Sequence, residues 1–328
     1  MSDPFQRPEL PVAISAVQRA MQVCRSVYGS VNADFMQKED RSPVTVADFA
    51  SQAVICQSLD HAFPNDPIVG EEDSSELSQP ENKPLLERIS AELRHVDLML
   101  DNREICRWID RGNSQDIADR FWTLDPIDGT KGFLRGGQYA ISLAFILSGQ
   151  VEVAVVGCPN FSPFEGASPG ALFWAVRGEG SWVMPEQSGD SAVRIHVSQT
   201  SDSANARFCE SVESGHSRHD LSERIARTLN ITKPPLRMDS QAKYATVARG
   251  DAEIYLRLPT RADYREKIWD HAGGTLVVEE AGGRVTDLFG NPLDWTQGHE
   301  LAANRGVVVT NGLLHDAVLA AIAEVNLR

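Results

Sequence analysis

Hydrophobic positions along this chain switch between two periods. From residue 12 to 28, Ala13, Val17, Ala20, Met21, Cys24, Val27 and Tyr28 recur at helical spacing, and Gly29 closes the run. A polar stretch, 38–43, leads to Thr45-Val46-Ala47-Asp48 and a second helix with Phe49, Ala53, Cys56, Leu59 and Phe63 on its inner face. A short strand, 67–69, then runs into Gly70-Glu71-Glu72-Asp73. Residues 74–84 read as a polar loop, 84–100 as a helix opened by Pro84, and 111–119 as a polar connection. Beyond the β-favouring run 121–124, strands are expected at 139–147, 151–157, 171–176 and 181–183. Residues 184–192 are the best linker. After them come strands at 194–197, 208–212, 253–258 and 307–310, and helices at 221–229, 270–281 and 313–324. Early helices with an antiparallel run, followed by alternating α and β, predict an α+β protein of two layered halves, 1–188 and 189–328.

Composition narrows the partners. The 328 residues are 42% hydrophobic, enough for real cores, yet no apolar run approaches a membrane span and no apolar leader follows a basic start. Residues 1–11 carry three prolines and read as a loose arm. A formal charge of −15 argues against nucleic-acid polymers and anionic membranes, but not against a small anionic substrate held through cations. Five scattered cysteines, with no Cys-x-x-Cys pair, suit neither zinc nor a disulfide framework. A cytoplasmic monomer is the expectation.

The candidate chemistry centres on Asp125-Pro126-Ile127-Asp128-Gly129-Thr130. In a regular strand, residues three apart face opposite ways, but a turn at Pro126 brings Asp125 and Asp128 to one point. Converged carboxylates repel unless a cation lies between them, and hard oxygen ligands suit Mg²⁺. Gly129 and Thr130 then look like the opening of a helix or tight turn, whose N–H groups favour an anion. Taken alone, the same residues read equally as an ordinary turn with Asp128 capping a helix. The Asp-x-Asp-Gly-Thr pattern of aspartyl-phosphate phosphatases does not apply, because two residues separate the aspartates here. Three further acidic blocks invite the same double reading. Glu71 to Asp73 form either a solvated loop or a ligand donor beside Asp125. Thr45 and Asp48 fit a capping box, and Asp270 fits an N-cap.

The motif resembles the central signature of the lithium-sensitive, Mg²⁺-dependent phosphatase superfamily of inositol monophosphatase and fructose-1,6-bisphosphatase. Its extension through Lys131-Gly132-Phe133-Leu134-Arg135-Gly136 is similar to that of the 3′(2′),5′-bisphosphate nucleotidases, which convert 3′-phosphoadenosine 5′-phosphate to AMP and phosphate. The other acidic blocks match in family order: Ser42 to Asp48, Gly70-Glu71-Glu72, and Trp269-Asp270-His271-Ala272-Gly273-Gly274. The resemblance implies an α-β-α-β-α sandwich with two or three Mg²⁺ ions at the junction of its halves. It implies Glu71, Asp125, the Ile127 carbonyl, Asp128 and Asp270 as metal ligands, and Asp48 with Thr130 as the pair that activates the attacking water. Glu72 would sit behind Glu71, and His271 would be packed rather than ligating.

For the substrate, an adenosine bisphosphate, the resemblance implies contacts from Gly129, Thr130, Ser240, Lys243, Arg257 and Asp270, and from His216 near the base. Residues 213–220 read equally as a surface loop with an Asp220–Glu223 capping box. Lys131 and Arg135 either screen the acids or belong to the site. Two rivals remain: an inositol polyphosphate 1-phosphatase or inositol monophosphatase activity, and a non-catalytic bisphosphate-nucleotide sensor. A sensor is expected to have lost an acid or Thr130, and this chain retains all of them.

Overall fold

A computed structural model describes residues 7–29, 35–37, 43–115, 118–187, 192–212, 219–261 and 263–326. His216 and the 38–42 loop lie outside them. The outer layer is made by helices α1 (Glu9–Gly29) and α2 (Val46–Ala62), which pack on each other. A two-stranded hairpin of β1 (Phe35–Gln37) and β2 (Pro43–Thr45) precedes α2, and Thr45 caps it through the expected box with Asp48. The helix expected for 84–100 is shorter than that, and a second helix, not expected, follows it. The first, α3 (Lys83–Leu93), runs into a 3₁₀ turn, and Asp97 adopts a left-handed conformation. Asp101 and Glu104 then form a capping box that starts α4 (Asn102–Asp110).

The first sheet has seven strands in the order β3 (Ile68–Gly70), β4 (Arg120–Asp128), β5 (Ala140–Leu147), β6 (Gln150–Cys158), β7 (Ala171–Val176), β8 (Gly180–Pro185) and β9 (Val193–Ile195). Every pairing is antiparallel except β3 on β4. Met184 and Pro185, assigned above to a linker, instead extend β8. The short helix α5 (Thr130–Leu134) follows β4 directly.

The second sheet has five strands in the order β11 (Leu236–Arg237), β10 (Phe208–Glu210), β12 (Ile254–Arg257), β14 (Val307–Thr310) and β13 (Arg284–Thr286). Helices α7 (Ala242–Ala248) and α8 (Ala272–Glu280) fill the space between the sheets, while α6 (His219–Thr228) and α9 (His315–Asn326) cover the far face. The layers are therefore α-β-α-β-α, as expected.

Burial explains the strand sequences. In β5, Ile141, Leu143 and Phe145 enter the core under α1 and α2, whereas Ala140, Ala144 and Ile146 enter the core shared with α7 and α8. In β14, Val307 and Val309 face that shared core and Val308 faces the one under α9. Strands covered on both faces read as continuous apolar runs rather than alternating ones.

Candidate active site

Strand β4 does not stop at Asp125. It runs to Asp128 with a break in register between those residues, so that Asp125 opposes Ser142 and Asp128 opposes Ala140. The extra residue turns both carboxylates to one side, the effect expected of a bulge containing Pro126. Gly129 follows at φ +86°, and a Cβ there would crowd Ser240, so both conformation and space call for glycine.

Carboxylate oxygens of Asp125, Asp128 and Asp270 lie within 4.8 Å of one another, and Glu71 lines the same cavity. Burial raises the Asp125 carboxyl well above the carboxylate range, and Glu71, Asp128, Asp270 and Asp48 raise it further. Burial likewise raises Asp270, with Asp128 adding to it. Asp128 is also raised by burial, although Lys243, Arg257 and the Gln241 amide, 2.5 Å away, pull it down. Asp125 Oδ1 is buried with no hydrogen-bond partner among the described residues. A repelling, oxygen-only donor set with an orphaned ligand atom fits a divalent cation.

Asp270 is not the helix cap that its position suggested. The cap residue of α8 is His271, without a side-chain cap bond, which leaves the Asp270 carboxylate to the cluster. Asp48 does both things at once. Its Oδ2 accepts from the Thr45 amide at 2.8 Å and the Thr45 hydroxyl at 2.6 Å, while Oδ1 accepts from Thr130 Oγ1 at 3.3 Å. The Thr130 hydroxyl also lies 3.3 Å from the Ile127 carbonyl. Glu72 is buried, with its backbone held at both ends by the Gln52 amide group.

Opposite the acids stand Ser240, Lys243 and Arg257, all lining the same cavity of about 440 Å³. Ser240 is left-handed, at φ +68°, and its hydroxyl accepts from the Ala242 amide at the start of α7. Lys243 is buried, with Nζ 5.2 Å from the Tyr255 ring centre; burial lowers its pKa and Asp128 opposes that fall. Arg257 Nε lies 3.1 Å from Glu266. Burial is the largest influence on Arg257 and would lower it, but Glu266, Tyr255, Tyr264 and Asp270 together hold the guanidinium well above its usual value. Burial is likewise the largest influence on Glu266 and would raise it, but Arg257 and His271 together leave it below its usual value.

Several contributors carry no sequence signal of their own. The Gln241 amide group accepts from Ser142 at 3.0 Å and the Gly274 amide at 2.9 Å, and donates to the Trp269 carbonyl at 2.9 Å. It thereby ties β5 of the first sheet to the starts of α7 and α8. Asp239 pairs with Arg135 at 2.6 Å and fixes the loop that carries Ser240. Glu266 hides in the mixed-charge run Arg265-Glu266-Lys267, where nothing marks one member as buried. Residues 213–218, and with them His216, are outside the described region; α6 begins at His219, so Asp220 falls inside its first turn rather than capping it.

A two-sheet sandwich that gathers four acids from the ends of β3 and β4 and the start of α8 opposite two cations is the layout of a metal-dependent phosphatase, and residues 6–327 match the inositol monophosphatase family, to which this chain belongs. A Schizosaccharomyces pombe protein named 3′(2′),5′-bisphosphate nucleotidase is 43% identical, covering 97% of this chain and 95% of its own length. The Oryza sativa protein of the same name is 42% identical, over 96% and 94%. Among solved structures, an IMPase from Thermotoga maritima superposes with a TM-score of 0.66 at 22% identity, over 95% of this chain and 96% of its own. CysQ from Bacteroides thetaiotaomicron, another member of the family, gives 0.62 at 20%, over 94% and 99%.

Proposed function

We propose that this chain is a Mg²⁺-dependent 3′(2′),5′-bisphosphate nucleotidase that hydrolyses the 3′-phosphate of 3′-phosphoadenosine 5′-phosphate. What supports it most directly is one juxtaposition: the Asp125, Asp128 and Asp270 cluster, the buried Lys243 and the half-buried Arg257 line one cavity. A single reacting phosphate would need the acids and their metal, whereas two separate cations suit a second, non-reacting phosphate. The likeness to the fission yeast and rice nucleotidases agrees with it.

Glu71, Asp125, the Ile127 carbonyl, Asp128 and Asp270 would hold the metal ions. When bound, Mg²⁺ supplies charge stabilisation at the phosphoryl oxygens and makes water more acidic. Thr130 donates its hydroxyl hydrogen toward Asp48 Oδ1, which leaves its oxygen lone pairs to receive a proton from the attacking water. Asp48 is the terminal acceptor, held in aim by Thr45 through its other oxygen. As the water oxygen bonds to phosphorus, the bond from phosphorus to the ribose 3′-oxygen breaks in line. Gly129 leaves room for the phosphate near the start of α5, Ser240 and Lys243 meet the ribose or 5′-phosphate side, and Arg257 meets the 5′-phosphate. His216 is retained as a contact near the base. Roles then divide between the halves 1–188, with most metal ligands, and 189–328, with the nucleotide contacts and Asp270.

Phosphate release from 3′-phosphoadenosine 5′-phosphate, inositol 1,4-bisphosphate and inositol 1-phosphate, each with Mg²⁺ and with or without lithium, tests the proposal. The nucleotide is expected to turn over fastest and lithium to inhibit. Preference for an inositol phosphate would keep the metal cluster and discard the nucleotide pocket.

A further inference from the structure

Behind Arg257 lies a chain of buried polar groups that the reaction itself does not use. Glu266 sits on the connection between β12 and α8, its side chain only 3% exposed, and its carbonyl is pinned by the Leu301 amide at 2.8 Å. Its Oε2 takes Arg257 Nε at 3.1 Å and faces His271 Nε2, also at 3.1 Å. His271 Nδ1 is 2.6 Å from the Tyr244 hydroxyl. With a carboxylate able only to accept, the assignment consistent with both bonds has His271 donating from Nε2 to Glu266 Oε2 and Tyr244 donating to Nδ1, while Glu266 Oε1 is buried with no hydrogen-bond partner among the described residues. Tyr244 cannot swing away: its ring packs edge-on against Tyr255 at 5.3 Å, and any side chain at Gly274 would overlap it.

A guanidinium is planar, so a bond at Nε fixes both its plane and the direction of its outer edge. We propose that Glu266, locked by His271 and Tyr244, is a positioning residue that aims Arg257 at the non-reacting phosphate and so sets the preference for a bisphosphate over a monophosphate substrate. This rests on the nucleotidase function proposed above. The alternative is that Glu266 merely holds the β12–α8 junction together, and then its loss would affect all substrates alike.

Steady-state kinetics on 3′-phosphoadenosine 5′-phosphate and on adenosine 3′-phosphate separate the two. For Glu266→Gln, which keeps the shape and loses the charge, KM for the bisphosphate should rise about tenfold with kcat within about threefold, and KM for the monophosphate should hardly move. Glu266→Asp, which keeps the charge, should recover part of the loss. In an Arg257→Ala background Glu266→Gln should add less than about twofold. Should Glu266→Gln fail to fold, Tyr244→Phe releases only the far end of the chain and should give a smaller shift confined to the bisphosphate. Equal effects on both substrates, full additivity with Arg257→Ala, or unchanged kinetics in a folded variant would overturn the proposal while leaving the nucleotidase function intact. A wild-type protein with no preference between the two substrates would overturn this proposal alone, and one that hydrolyses neither would overturn the nucleotidase function as well.

Discussion

The two walls of the cavity handle charge in opposite ways. On the wall built from the first sheet, joined by Asp270, like charges are crowded together: burial raises Asp125, Asp128 and Asp270 toward their neutral forms, and neighbouring carboxylates add to the rise at Asp125 and Asp270. On the wall built from the second sheet, charge is compensated from within, Arg257 by Glu266. One wall is incomplete until an external cation arrives. The other is complete, and offers only the outer face of its cations to a ligand. Repulsion marks where a metal belongs, and compensation marks where recognition has been set in place beforehand.

Removing a single charge from the repelling wall gives the largest contrast. Asp128→Asn keeps an oxygen that can still accept from the Gln241 amide, so the loop at residue 240 should stay docked. Turnover should fall on the order of 10³-fold, with the melting temperature unchanged or raised. Wild-type activity in that variant would remove Asp128 from the metal site. On the compensated wall, Lys243→Met should raise KM for the bisphosphate about tenfold and leave kcat nearly intact, as measured by steady-state kinetics. A collapse of kcat instead would place Lys243 at the reacting phosphate.

The pH dependence of stability should be the smallest effect and the most diagnostic. Carboxyls with raised folded-state values bind protons more tightly folded than unfolded. Their penalty is therefore full above those values and is lifted as pH falls through them. The gap in melting temperature between Mg²⁺-loaded and chelator-treated protein should be widest at alkaline pH and shrink as pH falls through the raised carboxyl values. His315, pushed down to about 4 by burial, destabilises both forms alike below its ordinary range and cancels in the difference. A gap independent of pH would show that the acids do not bind the ion.

How legible each wall was follows from its construction. The acidic wall is local: Asp125 and Asp128 belong to one strand and its bulge, Asp48 to a capping box, Glu71 to a strand end. Short-range turn patterns single such residues out, and the family resemblance, rather than the pattern, assigned them to a metal. The long strands β4 to β7 were legible because their apolar runs are bounded by clear turns, whereas the strand expected at 194–197 in the second half joins the first sheet as β9. Helix α7 was not read, because Ala242–Ala248 is short and buried all round and so lacks an amphipathic period. The helix expected over 84–100 stops at Leu93, where a 3₁₀ turn and the left-handed Asp97 break it, and α4, opened by the Asp101 capping box, was not read. Gln241 and Glu266 were invisible as participants because their partners are far away in sequence, at Ser142 and Trp269 for one and at Arg257 and His271 for the other.

The bond from the Gln241 amide to Asp128 spans 113 positions of chain. Lys243, Arg257 and Asp270 all lie beyond that crossing point, and every strand of the first sheet precedes them in the chain. The early carboxylates therefore gain the opposing cations, and then their fourth companion, only from the later part of the chain. Catalysis thus requires the two sheets to be docked. Recovery of turnover after dilution from denaturant should lag behind recovery of the seven-stranded sheet, which makes phosphate release a clock for when the two halves of the molecule meet.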